Sequence, residues 1–189
     1  MRVKVLDCAP YASMYDPDAF QTNVVPQLNL FLADTDKVDV ILCFRFCTEW
    51  IPLAKKMYPH HFIGFKTSQR WYGELLLAPP PHKCVFSQRT PLMTSTRNHH
   101  ISQFTLEIRD TLVQFAMVES DHPLDSPTAS SARRTQSEIK SELVKGLYNG
   151  TIDVVAVKTH QAFLPQLPEY HEIKQDDVYI LMKTSPPPF

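Results

Sequence analysis

The side chains of this chain best suited to chemistry are eight histidines, four cysteines and an arginine that closes an apolar run. The histidines are His60, His61, His82, His99, His100, His122, His160 and His171. Imidazole nitrogens held close together would bind zinc or another borderline metal. Their spacing argues against that use. Two of the pairs are adjacent residues, which on a strand point to opposite faces and form no chelate. Cys43-x-x-x-Cys47 has no matching Cys or His pair at zinc spacing, so Cys8, Cys43, Cys47 and Cys84 read as reduced thiols. No metal ligands and no cofactor are assigned from these residues. The remaining signal is Val38-Asp39-Val40-Ile41-Leu42-Cys43-Phe44-Arg45. A branched apolar run of this kind reads as a buried strand that delivers its last side chains to the rim of a site.

The elements around that strand alternate. Val3–Leu6 reads as a first strand. Asp16-Pro17 is an N-cap with proline at the first helical position, opening a helix whose face holds Phe20, Val24, Leu28, Phe31 and Leu32. Pro26 should kink that helix or delay it. A second helix begins at Thr48 with Trp50, Leu53, Ala54 and Met57 inward. Short strands follow at 62–65, 72–77 and 83–87, and 101–108 with 111–118 reads as a hairpin turning at Arg109-Asp110. The Ser-, Pro- and Asp-rich stretch 121–131 reads as an exposed loop. A helix over 135–147 presents Ile139, Leu143, Val144 and Leu147, and strands are predicted at 152–157 and 177–182 around a Pro-broken segment.

Length and composition bound the function classes. The chain has 189 residues and 43% apolar content, enough for one sizeable core, so the expectation is one domain over 1–184 with a Pro-rich tail at 185–189. A net charge of −1 excludes a global basic field toward nucleic acid or membrane. Four glycines against 16 prolines disfavour a Gly-rich phosphate loop. No run of about 18 apolar residues is present, so no membrane insertion is expected. The start lacks the apolar stretch of a secretory signal, which gives an intracellular expectation with the compartment open.

Several segments follow one another in a recognisable order. They are Val3-Lys4-Val5-Leu6-Asp7-Cys8, the strand closing on Arg45, Tyr72-Gly73-Glu74-Leu75-Leu76-Leu77 and Ser87-Gln88-Arg89-Thr90-Pro91-Leu92-Met93. Ala116-Met117-Val118-Glu119-Ser120, Arg133-Arg134-Thr135-Gln136 and Val157-Lys158-Thr159-His160 complete the series. The series resembles the endonuclease/exonuclease/phosphatase superfamily, nearest to its tyrosyl-DNA phosphodiesterase branch, over roughly residues 2 to 161. The resemblance implies an α/β fold, a two-layered mixed β-sandwich of DNase I type flanked by helices. It also implies C-terminal truncation, because 29 residues follow His160 where the family continues to a closing motif.

What the resemblance implies for chemistry is loss. The family's first strand ends in a metal-site Asn, where Cys8 stands. Its second strand ends in Leu-Gln-Glu, whose Glu holds magnesium, and Arg45 takes that place. In the family's Ser-His-Leu-Glu-Ser motif the His becomes Met117, while Glu119 and Ser120 are kept, as is Gln136 of an Arg-x-x-Gln. The family's Gly-Asp-x-Asn becomes a stretch with Lys158 and His160. Exchanging two carboxylates for guanidinium and ammonium shifts local charge by about four units. Hard-ligand magnesium chemistry does not survive that change, and methionine accepts no proton. Ser120-Asp121-His122 is similar to the family's closing Ser-Asp-His, but it falls in mid-chain and reads as loop chemistry.

The expectation is therefore a non-catalytic pseudoenzyme, with no catalytic residues and no cofactor, acting as a structural subunit or adaptor with protein partners. Arg45, Arg133, Arg134 and Lys158 are anion-binding candidates if they share a rim. The competing arrangement pairs Arg45 and Lys158 with Glu119 or Asp7. Three alternatives stay open at this point. One is a divergent metal-dependent phosphodiesterase or nuclease using Glu74, Glu119, Asp121 and His122. Another is a nucleic-acid- or phosphate-binding domain that adds Trp71 and Tyr72 as stacking surfaces, though nucleic acid is not favoured by the charge. The last is a soft-metal site at Cys8 and His160.

Overall fold

Two parallel neighbouring strands need a long crossover between them, and the N-terminal third of the chain supplies one. Val3–Asp7 (β1) pairs in parallel with Val40–Cys47 (β2), Val3 opposite Val40. Between them run Ala9–Ala12 (α1), Pro17–Ala19 (α2), a π-helical turn over Phe20–Val24 and Val25–Ala33 (α3). The π-helical turn is how the helix accommodates Pro26. The Val25 N–H donates to the Phe20 carbonyl, and Pro26 then falls in the first turn of α3, where a missing N–H costs nothing. Phe20, Val24 and Leu28 are buried as the helical spacing requires, with Phe31 and Leu32 packed partly against them.

The structure is a computed structural model that describes residues 1–12, 17–34, 37–67, 71–91, 100–119, 129–159 and 166–184. They fall into two compact units, Met1–Ser87 with Leu106–Leu112, and Gln88–Thr105 with Val113–Phe189.

The first unit holds a four-stranded sheet in the order β1-β2-β4-β3, where β3 is Phe62–Thr67 and β4 is Tyr72–Ala78. β4 runs antiparallel to both β2 and β3. A 3₁₀ turn over Thr48–Trp50 leads into Ile51–Met57 (α4). Trp50 and Ala54 are buried there, but Met57 is 44% exposed and does not face inward as its spacing suggests. α4 ends at Met57, and Tyr58 takes the buried place instead, donating its hydroxyl to Asn29 at 2.9 Å. Phe20, Phe46 and Trp50 form a ring cluster with centroids 5.6–5.8 Å apart, the edge-to-face range that adds to simple burial.

The second sheet has six strands in the order β5-β6-β7-β8-β10-β9. These are Lys83–Pro91 (β5), His100–Ile108 (β6), Thr111–Glu119 (β7), Val154–Lys158 (β8), Tyr170–Gln175 (β9) and Val178–Lys183 (β10). β6 and β7 turn at Arg109-Asp110, as expected, and both residues take positive φ, 51° and 63°. That is the type I′ geometry whose twist suits a two-residue hairpin. β7 and β8 are parallel, and the crossover between them carries Ala129–Tyr148 (α5). Ile139, Leu143 and Leu147 of α5 bury against Ala116, Val118, Val155, Val157 and Leu181.

Three expectations need correction here. Residues 129–131 are helical, not loop, because α5 begins ten residues before the first residue of its apolar face, Ile139. The strand predicted from Ile152 joins the ladder only at Val154, with Ile152 buried beside α5. The Pro-broken segment contains a strand, β9, which pairs with β10 across a turn where Asp176 has φ of 52°. The tail 185–189 and most of the expected loop at 121–131 lie outside the described residues. Among the described residues, no helix is long and apolar enough to cross a membrane.

Candidate functional site

In the first unit, β1 ends where β2 is disrupted. Asp7 stands opposite Phe44 in the ladder, and the Cys8 N–H donates to the Phe44 carbonyl at 2.9 Å, so Cys8 arrives beside Arg45. On the other side of β2, Cys43 faces Leu75 but Phe46 faces Gly73. Phe44 and Arg45 therefore share a single opposing residue, Glu74. This is a β-bulge, and Arg45 makes it with a φ of 52°. A left-handed backbone at a residue with a Cβ costs on the order of 1–2 kcal/mol. One result is a change of alternation, which lets Cys43 and Phe46 both reach the helix-side core.

The other result is a charge arrangement. Glu74 is only 1% exposed, and a buried carboxylate is costly without a partner. Register sets Arg45 of the next strand opposite it, and both residues are engaged in interactions. Asp7, the other acid at this end, accepts from the Ala9 N–H at 3.0 Å.

The cysteines are less scattered than their sequence positions suggest. Cys8, Cys43 and Cys47 are fully buried in one core cluster. A hydrogen bond with Cys43, reinforced by burial, holds the Cys8 thiol well above its usual range. Burial pushes Cys47 up as well. Such thiols are poor nucleophiles. Cys84 on β5 is partly exposed and donates its S–H to the Phe86 carbonyl at 3.3 Å. A thiol-specific reagent should therefore modify one cysteine, Cys84, in the native protein and the other three only on unfolding. Rapid native labelling of two or more would contradict this packing. Among the described residues, no three of His, Cys, Asp and Glu are grouped so as to hold a metal ion.

The second unit repeats the charge arrangement. β7 and β8 run parallel with Met117 opposite Ala156 and Glu119 opposite Lys158. Met117, Glu119 and Lys158 are all buried, the last two at 3% and 7% exposure. They lie on the face away from α5, since Ala116, Val118, Val155 and Val157 take the α5 side. An acid and a base are thus neighbours in one ladder, each engaged and each out of water. Of the five positions singled out by the resemblance, Cys8 meets Arg45 in the first unit, and Met117 and Lys158 share one sheet face in the second. His160 lies outside the described residues, as do Ser120, Asp121 and His122. Arg133, Arg134 and Gln136 are on α5. Trp71, one of the two aromatics considered for stacking, is 39% exposed, and Tyr72 is half-buried.

A further polar cluster lies at the opposite end of β2. Asp39 is buried and accepts from the Arg2 backbone N–H at 2.8 Å and from Arg109 Nη2 at 3.1 Å. His82 Nε2 sits 3.3 Å from the same carboxylate. These partners are far apart in sequence, and the only sequence sign was an Asp inside an apolar run. The cluster ties the hairpin tip and the loop before β5 to the start of β2.

No family model and no curated protein matches the sequence. Solved structures do match. D. rerio TDP2 in complex with a single-strand DNA product is similar, with a TM-score of 0.70 at 10% identity, over 98% of this chain and 85% of that one. The human nocturnin catalytic domain with bound sulfate gives 0.56 at 14% identity, over 83% and 64%. An endonuclease/exonuclease/phosphatase family protein from Bacteroides thetaiotaomicron gives 0.55 at 11%, over 82% and 61%. This chain has the endonuclease/exonuclease/phosphatase fold. Its two mixed sheets with flanking helices are the DNase I-like α/β arrangement expected from the sequence. The chain is shorter than the TDP2 chain, of which it covers 85%. At such identities the likeness carries the endonuclease/exonuclease/phosphatase fold and leaves the residues at its strand ends to be judged on their own chemistry.

Proposed function

We propose that this chain is a non-catalytic pseudoenzyme of the endonuclease/exonuclease/phosphatase fold that serves as a structural subunit or adaptor in a larger assembly. The observation that carries the proposal is ladder register, which sets a basic residue opposite each of two buried carboxylates, Glu74 and Glu119. Glu74 stands opposite Arg45 and Glu119 opposite Lys158. By resemblance, Arg45 occupies the place of a magnesium-binding Glu and Lys158 that of a general-base Asp. Carboxylates with a fixed cation at the neighbouring ladder position are poor ligands for a hard divalent cation. Met117 offers no proton acceptor in place of the family's His.

The same pairing weighs against an anion-binding role, because Arg45 and Lys158 already face carboxylates. One observation favours the divergent-enzyme reading: both Glu74 and Glu119 are buried, as metal-site carboxylates often are. The test is hydrolysis of bis(p-nitrophenyl) phosphate and of a single-stranded oligonucleotide with magnesium or manganese. Turnover should be indistinguishable from a chelator control. Chelator-sensitive turnover that Glu74→Gln or Glu119→Gln removes would overturn the proposal in favour of the enzyme. Oligonucleotide binding that weakens steeply with salt would instead favour a nucleic-acid-binding domain.

A further inference from the structure

We draw no further inference here: the strongest candidate, the buried His82–Asp39 pair beside Arg109 at the start of β2, carries nothing because its remaining imidazole nitrogen, Nδ1, is shut off from solvent and, among the described residues, no third His, Cys, Asp or Glu joins the pair to hold a metal ion.

Discussion

Replacing Lys158 with methionine is expected to destabilise the protein by about 3–5 kcal/mol, the range seen when one partner of a buried ion pair is removed. The reasoning starts from the ladder. Lys158 and Glu119 are register neighbours on one sheet face, and both are almost wholly out of water. Methionine replaces the aliphatic stem of lysine well, so the loss is almost entirely that of the ammonium. What remains is a buried carboxylate without its neighbouring cation. Adding Glu119→Gln should recover most of the loss, because the amide is neutral and keeps the shape. Urea unfolding of the wild type, both single variants and the double variant gives the coupling, which should exceed about 1 kcal/mol. If Lys158→Met is neutral, Lys158 is not the counter-ion of Glu119, and it returns as an anion-binding candidate.

Much of the frame behind this argument was legible in the sequence. β1, β2, β7 and β8 announce themselves as apolar or alternating runs, and α5 by its 3.6-residue spacing, because burial dictates both patterns. The expectation that Lys158 could face Glu119 also agrees with the ladder. Arg45 is different. Its expected partners were Glu119 or Asp7, and the register sets Glu74 opposite it. The reason is the bulge, which needs a left-handed residue and is usually advertised by glycine or asparagine. Here arginine fills it, so the sequence gives no sign. β9 shows no strand signal in the sequence because its exposed charges break the apolar pattern, which an edge strand tolerates. The Asp39, His82 and Arg109 cluster brings together three distant segments, and no local pattern encodes such a meeting.

Gly73→Ala is expected to cost about 3 kcal/mol or more, the upper range for forcing extra volume into a packed site. Gly73 lies in β4 between Phe46 of β2 and Thr67 of β3. A Cβ built there would lie 2.1 Å from the Lys66 carbonyl oxygen and 2.8 Å from the Phe65 ring. The first contact is with backbone, so no rotamer change relieves it. The sheet must part between β3 and β4, at the end where Glu74 and the Arg45 bulge sit. Urea unfolding should show the loss, and hydrogen exchange should show faster exchange in β3 near Lys66 and Thr67. A loss below about 1 kcal/mol would mean that β3 shifts freely, and that the bulge is not held in place from that side. The contrast is Arg45→Gly, which keeps the left-handed backbone, relieves about 1 kcal/mol of strain and removes only the guanidinium opposite Glu74. If Gly73→Ala and Arg45→Gly both unfold the first unit, the bulge is a structural hinge of the sheet. If Gly73→Ala alone does so, the backbone path holds the strand end together and Arg45 serves to neutralise Glu74.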